Sequence, residues 1–369
     1  MITLPILHNQ EHAYDIVLDE GDLFENLDLS SFQNRKALVV TDHNVQILYS
    51  AILKNRIASV FSEIHDISFV PGELSKNLEQ IHSVYAYLCD AHFDRHDLII
   101  ALGGGVVGDM AGFAAATFMR GIRFIQIPTT LLSQTDSSIG GKTGVDFKGY
   151  KNIIGAFYMP SLVYIHPGFL RTLPDRQFFC GMGEIIKHAL IRDNDYAKFL
   201  LENHADITKK EIVAVNKMIA RSCEIKGKVV ERDPKEMGER ATLNFGHTIG
   251  HAIEKEMQFS LLHGECVALG VIAASYISMR RNMISLDDLD YIEQLFRTYN
   301  LPVRLQTQCL PMNILDHIKS DKKMNNKQIR YVLLDSIGHA VLDDTVKDEE
   351  ILDAVSYIQE SPAPPMNSI

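Results

Sequence analysis

Short apolar runs alternate with amphipathic stretches through the first half of the chain. KALVVTD (36–42), SFVPG (68–72), DLIIALGGG (97–105), RFIQIPTT (123–130) and SLVYIHP (161–167) read as short buried strands. Helical stretches such as EQIHSVYAYLCDAHF (79–93) lie between them. Strand–helix alternation of this kind predicts a mainly parallel sheet with helices on both faces. The opening segment ITLPILHNQEHAYDIVLDEG reads as a hairpin. Beyond Pro167–Pro174 strand signals thin out and amphipathic helices dominate. In EIVAVNKMIARSCEIKGKVV, Ile212, Val215, Ile219, Ser222, Ile225 and Val229 share one face, and Asp233-Pro234 ends the helix. QIRYVLLDSIGHAVL predicts a late strand pair. The expected organisation is a Rossmann-like α/β domain over 1–168 and a mostly α-helical domain over 169–358, with a disordered tail over 359–369. A boundary of that kind places a ligand cleft between the two domains.

A segment of the second half breaks the usual pattern. Read as one helix, RATLNFGHTIGH puts Arg240, Asn244, His247 and His251 at i, i+4, i+7 and i+11, on a single stripe. Such a stripe is normally apolar and faces a core. Here it carries a guanidinium, an amide and two imidazoles, whose burial without partners costs several kcal/mol. The stripe therefore points to a metal, an anion or a wet cleft. Gly246 and Gly250 would each weaken that helix by up to about 1 kcal/mol, so something must approach its backbone closely.

Composition narrows the function classes. The 46% apolar and 22% charged content is that of an ordinary globular enzyme. A net charge of −11 argues against a nucleic-acid or anionic-membrane surface, though a local basic pocket remains compatible with an anionic substrate. The five cysteines lack C-x-x-C spacing, which fits a reducing cytoplasm and gives no thiolate metal site. No apolar run reaches about 18 residues, and no signal peptide is evident.

Three stretches carry candidate chemistry. Gly103, Gly104 and Gly105 join an apolar strand to a helix starting near Val107, a geometry that offers backbone N–H groups to a phosphate. The G-x-G-x-x-G fingerprint is missing, and a tight turn is the plain alternative. Asp42, ending a strand, suits either a ribose hydroxyl or a helix cap. SSIGGKTGVD resembles a Walker A loop, but Asp136 stands where the first glycine is required, so a P-loop is rejected. Lys142, Lys148, Lys151 and Asn152 still form a basic cluster suited to an anion, or a solvated loop. Glu184, Lys187 and His188 lie at i, i+3 and i+4 in GEIIKH, and His247, His251 and His263 follow. Two imidazoles and a carboxylate from separate helices suit Zn²⁺ or a similar ion. HTIGH lacks the glutamate of a metalloprotease motif. Spacing alone leaves His247/His251 and His247/His263 both open as the imidazole pair.

Together, GGGVVGDMAGFAAATFMRGI, QIPTTLLSQTDSSIGGKTGVD, KNIIGAFY, GMGEIIKHALI, LNFGHTIGHAIE and HGECVALG resemble the 3-dehydroquinate synthase family of the sugar-phosphate cyclases, in order and spacing, from about residue 35 to 345. The resemblance implies NAD and one divalent metal, Zn or Co. It implies conversion of 3-deoxy-D-arabino-heptulosonate 7-phosphate to 3-dehydroquinate and phosphate, in the shikimate pathway. It assigns the metal to Glu184, His247 and His263, leaving His251 to the substrate. It assigns NAD to Asp42, to Gly72, Glu73, Leu74, Ser75, Lys76 and Asn77, and to Gly105, Val106, Val107, Gly108 and Asp109. Thr129, Thr130, Lys142, Lys151, Phe169, Leu170, Arg171 and Thr172 complete that set. Lys226, Arg240, Asn244 and His251 would bind the substrate carboxylate. Lys142, Asn152, Arg120 and either Lys322 or Lys323 would bind its phosphate, with Arg120 lent to the neighbouring subunit of a cytoplasmic homodimer. Asp136 and Lys187 would lie near the reacting hydroxyl. The stretch between His251 and His263 is one residue shorter than the family pattern. Two rival readings share the fold: another sugar-phosphate cyclase, acting on a substrate without the carboxylate, and a metal-dependent alcohol or glycerol dehydrogenase. The basic set and Arg240 with Asn244 favour a phosphorylated, carboxylated substrate.

Overall fold

The computed structural model describes residues 1–8, 10–236, 238–307, 309–325 and 330–359, with the backbone path alone for 321–325. The expected tail from 360 onward and the side chains of Lys322 and Lys323 lie outside the described residues. The chain divides into two compact units, Met1–Pro174 with Lys210–Pro234, and Asp175–Lys209 with Lys235–Ile369.

The first unit is built on a seven-stranded sheet. Its strands are β1 (Ile2–His8), β2 (Glu11–Leu18), β3 (Lys36–Asp42), β4 (Glu63–Phe69), β5 (Leu98–Gly103), β6 (Arg123–Pro128) and β9 (Leu162–Ile165), in the order β1-β2-β9-β6-β5-β3-β4. Only β1 and β2 pair antiparallel. The apolar runs form strands because both faces of a parallel sheet are covered. Leu38, Val40, Ile99 and Phe124 pack on one side, and Ala37, Val39, Leu98, Ile100 and Ile125 on the other. The strand order reverses between β3 and β5, so the carboxyl ends of those strands carry the crevice typical of such sheets. Asp42 and Gly103 end these two strands.

Two features of this unit depart from the sequence reading. A separate antiparallel hairpin, β7 (Lys142–Phe147) with β8 (Tyr150–Phe157), occupies the stretch read as a lysine-bearing loop. The helix Ile212–Arg232 was expected in the second domain and belongs to the first unit. Its face packs on β1, where a Cβ at Gly227 would meet Ile6 Cδ1 at 2.8 Å. Leu7 N–H also donates to Glu231 Oε1 at 3.0 Å. The division therefore falls after Pro174 with a return at Lys210–Pro234, where a single cut at Gly168 was expected.

The second unit is helical, with one strand pair, β10 (Tyr331–Ser336) and β11 (His339–Asp343), as read from the sequence. The helix His263–Arg280 runs through its centre and is apolar nearly all round, from Cys266 and Val267 to Ala273 and Ile277. The helices Asp175–Arg192 and His247–Glu256 lie against it. The single helix expected over Arg240–His251 is not formed. Glu239–Asn244 is a short 3-10 helix, Gly246 is left-handed at φ 79°, and the α-helix begins at His247. The close approach that the glycines signalled comes from protein: a Cβ at Gly246 would sit 2.6 Å from Val271 N, and one at Gly250 would sit 2.8 Å from Cys266 O. Gly270 answers from the facing helix, where a Cβ would lie 1.9 Å from Gly246 O. Gly270→Ala should therefore cost at least about 1–3 kcal/mol, because a backbone carbonyl cannot swing aside. Urea unfolding of the purified variant checks this, and an unchanged midpoint would refute it.

Candidate functional site

In the second unit, the helix Asp175–Arg192 presents Glu184 and Lys187 one turn apart, both buried. Glu184 is fully buried, and its Oε2 pairs with the Lys187 ammonium. Its Oε1 lies 3.3 Å from His247 Nε2 and 3.2 Å from His263 Nε2. His247 opens its helix and His263 opens the next, so three helices each deliver one donor. His247 Nδ1 lies 3.2 Å from the Phe245 carbonyl. Only a protonated nitrogen can donate to that oxygen, so the lone pair is left on Nε2, facing Glu184.

Burial would raise the Glu184 pKa, but the Lys187 ammonium holds it well below 4.5. His247 is pushed below its ordinary 6.5 by burial, against the pull of Glu184. Both directions favour the metal-binding forms, an ionised carboxylate and a neutral imidazole. Tetrahedral coordination with bonds of about 2.0–2.1 Å has edges of about 3.3–3.4 Å. The two Glu184–histidine separations match that edge, so these residues fit a divalent ion. His251 also belongs to the group: its ring centroid lies 5.1 Å from that of His247 and 5.8 Å from that of His263, and His251 is the exposed member. His188 is buried one turn after Glu184.

The other candidates of this unit sit nearby in sequence. Arg240 is buried at 2% exposure, which is rare for a guanidinium. Asn244 Nδ2 donates to Glu236 Oε1 at 2.8 Å.

In the first unit, Gly104 begins the helix Gly105–Thr117 with no side-chain cap, leaving the first-turn N–H groups to another acceptor. The helix starts two residues earlier than the sequence reading placed it. Packing also demands glycine here, since a Cβ at Gly103 would meet Val107 at 2.5 Å and one at Gly105 would meet Ser137 Oγ at 2.9 Å. Val106 and Val107 form the first turn, with Val107 buried against the sheet. A Cβ at Gly108 would meet Gln126 Oε1 at 2.7 Å.

Asp109 pairs with Lys76 at 2.7 Å. Burial works against the charge on Lys76, but Asp109 and Glu73 raise its pKa. Gly72 takes φ 113°, Ser75 Oγ donates to Val70 O, Leu74 is 97% exposed, and Asn77 caps the following helix through Gln80 N–H. Asp42 is a helix cap, accepting from Asn44 and Val45 N–H through Oδ1. Thr129 N–H donates to Gly103 O, and Thr130 exchanges hydrogen bonds with Ser133. Asp136 lies in a π-helical turn and takes Lys226 Nζ at 2.5 Å on Oδ1 and 2.8 Å on its carbonyl. The sequence reading gave these two residues separate roles and did not foresee their pairing.

Lys142, Lys151 and Asn152 are exposed on the β7–β8 hairpin, with Asn152 at φ 53°. Arg120 is exposed at φ 66°. Phe169 and Leu170 are core residues, with Phe169 edge-on to Tyr49 at 4.9 Å, while Arg171 and Thr172 are exposed.

Family models described as 3-dehydroquinate synthase N-terminal and 3-dehydroquinate synthase C-terminal match residues 66–180 and 181–324. The chain is 43% identical to the 3-dehydroquinate synthase of Ruminiclostridium cellulolyticum over 94% of its own length and 96% of that protein. It belongs to the 3-dehydroquinate synthase family. A second relative, the 3-dehydroquinate synthase of Nitrosomonas europaea, is 42% identical over 96% of this chain and 95% of its own. Among solved structures, the 2-epi-5-epi-valiolone synthase of Streptomyces hygroscopicus, with NAD⁺ and Zn²⁺ bound, superposes with a TM-score of 0.88 at 28% identity, covering 96% of this chain and 99% of that one. The fold class expected from the sequence, a mainly parallel α/β domain with a helical one, is that of the family.

Glu184→Gln tests the centre of the site. The amide cannot balance the buried Lys187 ammonium, so the metal-free variant should lose about 3–5 kcal/mol. The double variant Glu184→Gln with Lys187→Met should recover part of that loss in chemical denaturation. A single variant as stable as wild type would show that the carboxylate does not anchor the cluster.

Proposed function

We propose that this chain is a 3-dehydroquinate synthase that uses NAD⁺ and one divalent ion to convert 3-deoxy-D-arabino-heptulosonate 7-phosphate into 3-dehydroquinate and phosphate. The convergence of His247 and His263 on Glu184 at tetrahedral-edge distances, in a chain over 40% identical to enzymes of that name, carries the reading. When bound, NAD⁺ would take up a hydride from the substrate and later return it, and the ion would act as a Lewis acid on a substrate oxygen.

Glu184, His247 and His263 would hold the ion. Lys187 keeps Glu184 ionised, and Phe245 O sets the tautomer of His247. The uncapped start of Gly105–Thr117, Asp42 at the end of β3, and the 72–77 loop would hold NAD⁺. Thr129, Thr130, Lys142, Lys151, Arg171 and Thr172 would complete that site. For Phe169 and Leu170, whose side chains are in the core, the contact would come through the backbone.

Substrate anions call for guanidinium and ammonium partners. In the second unit, Arg240, Asn244 and His251 would grip the carboxylate. In the first, Lys226 would contribute an ammonium oriented by Asp136, and Lys142 and Asn152 would meet the phosphate. Arg120 would serve the neighbouring protomer of a homodimer. Among the described residues no helix is long and apolar enough to cross a membrane. The assignment to the cytoplasm follows from the proposed activity. Positioning one flexible molecule through several steps would supply much of the rate.

With NAD⁺ and Zn²⁺, the purified protein should release inorganic phosphate from the heptulosonate phosphate with no accumulation of NADH at 340 nm. Growing NADH absorbance would indicate a dehydrogenase. Phosphate release only from a substrate lacking the carboxylate would indicate another sugar-phosphate cyclase. His251→Ala should retain stoichiometric metal while kcat/KM falls by roughly 10–100-fold, the worth of a hydrogen bond to a charged group. Loss of metal would make His251 the ligand in place of His263.

A further inference from the structure

The start of the His263–Arg280 helix is gripped by residues that belong to no assignment above. Arg176, in the first turn of Asp175–Arg192, forks onto Glu265: Nε donates to Oε1 and Nη2 to Oε2, each at 2.8 Å. Nη2 also donates to the Ser260 carbonyl at 3.2 Å. Glu265 Oε2 accepts the N–H of Leu262, the residue just before the helix, at 2.7 Å. An exposed ion pair is ordinarily worth little. This one is bidentate, and the Glu265 carboxylate is only 13% exposed. That carboxylate also lies at a helix N-terminus, where negative charge is favoured.

Arg176, Cys180 and Glu184 occupy i, i+4 and i+8 of one helix, so they form three successive rungs of one face. The middle rung is a backbone contact. Gly264 N–H lies 3.2 Å from Cys180 Sγ, and a Cβ at Gly264 would fall 1.8 Å from Cys180 O. The third rung is Glu184 against His263. The grip closes on the stretch before His263, where Gln258 and Phe259 take φ of 50° and 60°.

We infer that Arg176 and Glu265 are positioning residues that set the height of His263 against Glu184 and so tune the affinity of the site for its divalent ion. This rests on the metal reading above. Neither residue touches the ion; their effect passes through Leu262 and the first turn of the helix.

The test is Zn²⁺ affinity of metal-free protein, measured by competition with a chromophoric chelator. The visible spectrum of the Co²⁺-loaded protein and thermal unfolding of the metal-free form accompany it. Arg176→Ala and Glu265→Gln should each weaken Zn²⁺ by roughly 10–100-fold, the range for groups that support ligands, and should alter the Co²⁺ bands. Arg176→Lys, which keeps charge but loses the fork, should fall between. These two milder changes, Glu265→Gln and Arg176→Lys, serve if the alanine variant does not fold. Arg281→Ala is the control, since Arg281 ties Asp343 and Glu350 elsewhere in the same unit. It should lower thermal stability and leave Zn²⁺ affinity within twofold of wild type. Affinity unchanged in the Arg176 and Glu265 variants, or lowered equally by Arg281→Ala, overturns the inference. Failure of the wild-type protein to bind one Zn²⁺ would overturn the metal reading and this inference together.

Discussion

Everything in the second unit is arranged around one carboxylate removed from water. Glu184 has no exposed surface, and a bare charge there would be untenable. Lys187 supplies a full positive charge from one turn away, and two imidazoles face the other oxygen. An ion pair buried in this way does not by itself argue for stability, because desolvation cancels much of the attraction. Its value is electrostatic preparation: the cluster keeps a negative oxygen and the neutral His247 ring facing each other, with the His263 ring alongside.

The backbone has to bring three helices close enough for side chains of ordinary length to converge. Glycine makes that possible. At Gly246, Gly250, Gly264 and Gly270 a Cβ would collide with main-chain atoms of a neighbouring helix, and at Gly183 it would meet Gly264 O at 2.6 Å. The first unit uses the same device for a different end. Gly103 to Gly105 let a strand turn sharply into a helix whose leading N–H groups stay uncapped.

Much of this was legible in the sequence, and the gaps have physical causes. Most buried parallel strands announced themselves as unbroken apolar runs. The strand expected over 68–72 is instead β4 at Glu63–Phe69, whose EIHDISF sequence mixes charged and apolar residues and so hides the run. The Ile212–Arg232 helix announced itself as a clean stripe ended by Asp233-Pro234. Its membership of the first unit was hidden, because a helix pattern says what is buried and not against what. The β7–β8 hairpin was missed because KTGVDF and YKNIIGAF are rich in glycine and polar residues, which weakens strand propensity. The only cue was Lys148-Gly149 between them, with Gly149 at φ 82°. Arg240 to His251 kept helical spacing across a left-handed glycine, so periodicity joined what the backbone separates. Spacing left His247/His251 and His247/His263 both open, because which rings come together depends on where helices from distant parts of the chain meet, and all three do. The Lys226–Asp136 pair was out of reach for the same reason.

The glycine contacts also constrain how this site can change over time. With main chain lying directly on main chain, no intervening side chains are available to be trimmed or enlarged, and the ligand spacing cannot be retuned by small steps in the usual way. Drift at those five positions is closed off, and adaptation to an ion of another radius would have to begin with the donors themselves or with the loops that lead into their helices. A library built to shift metal preference would do best to spare every one of those glycines and spend its diversity on residues 258–262.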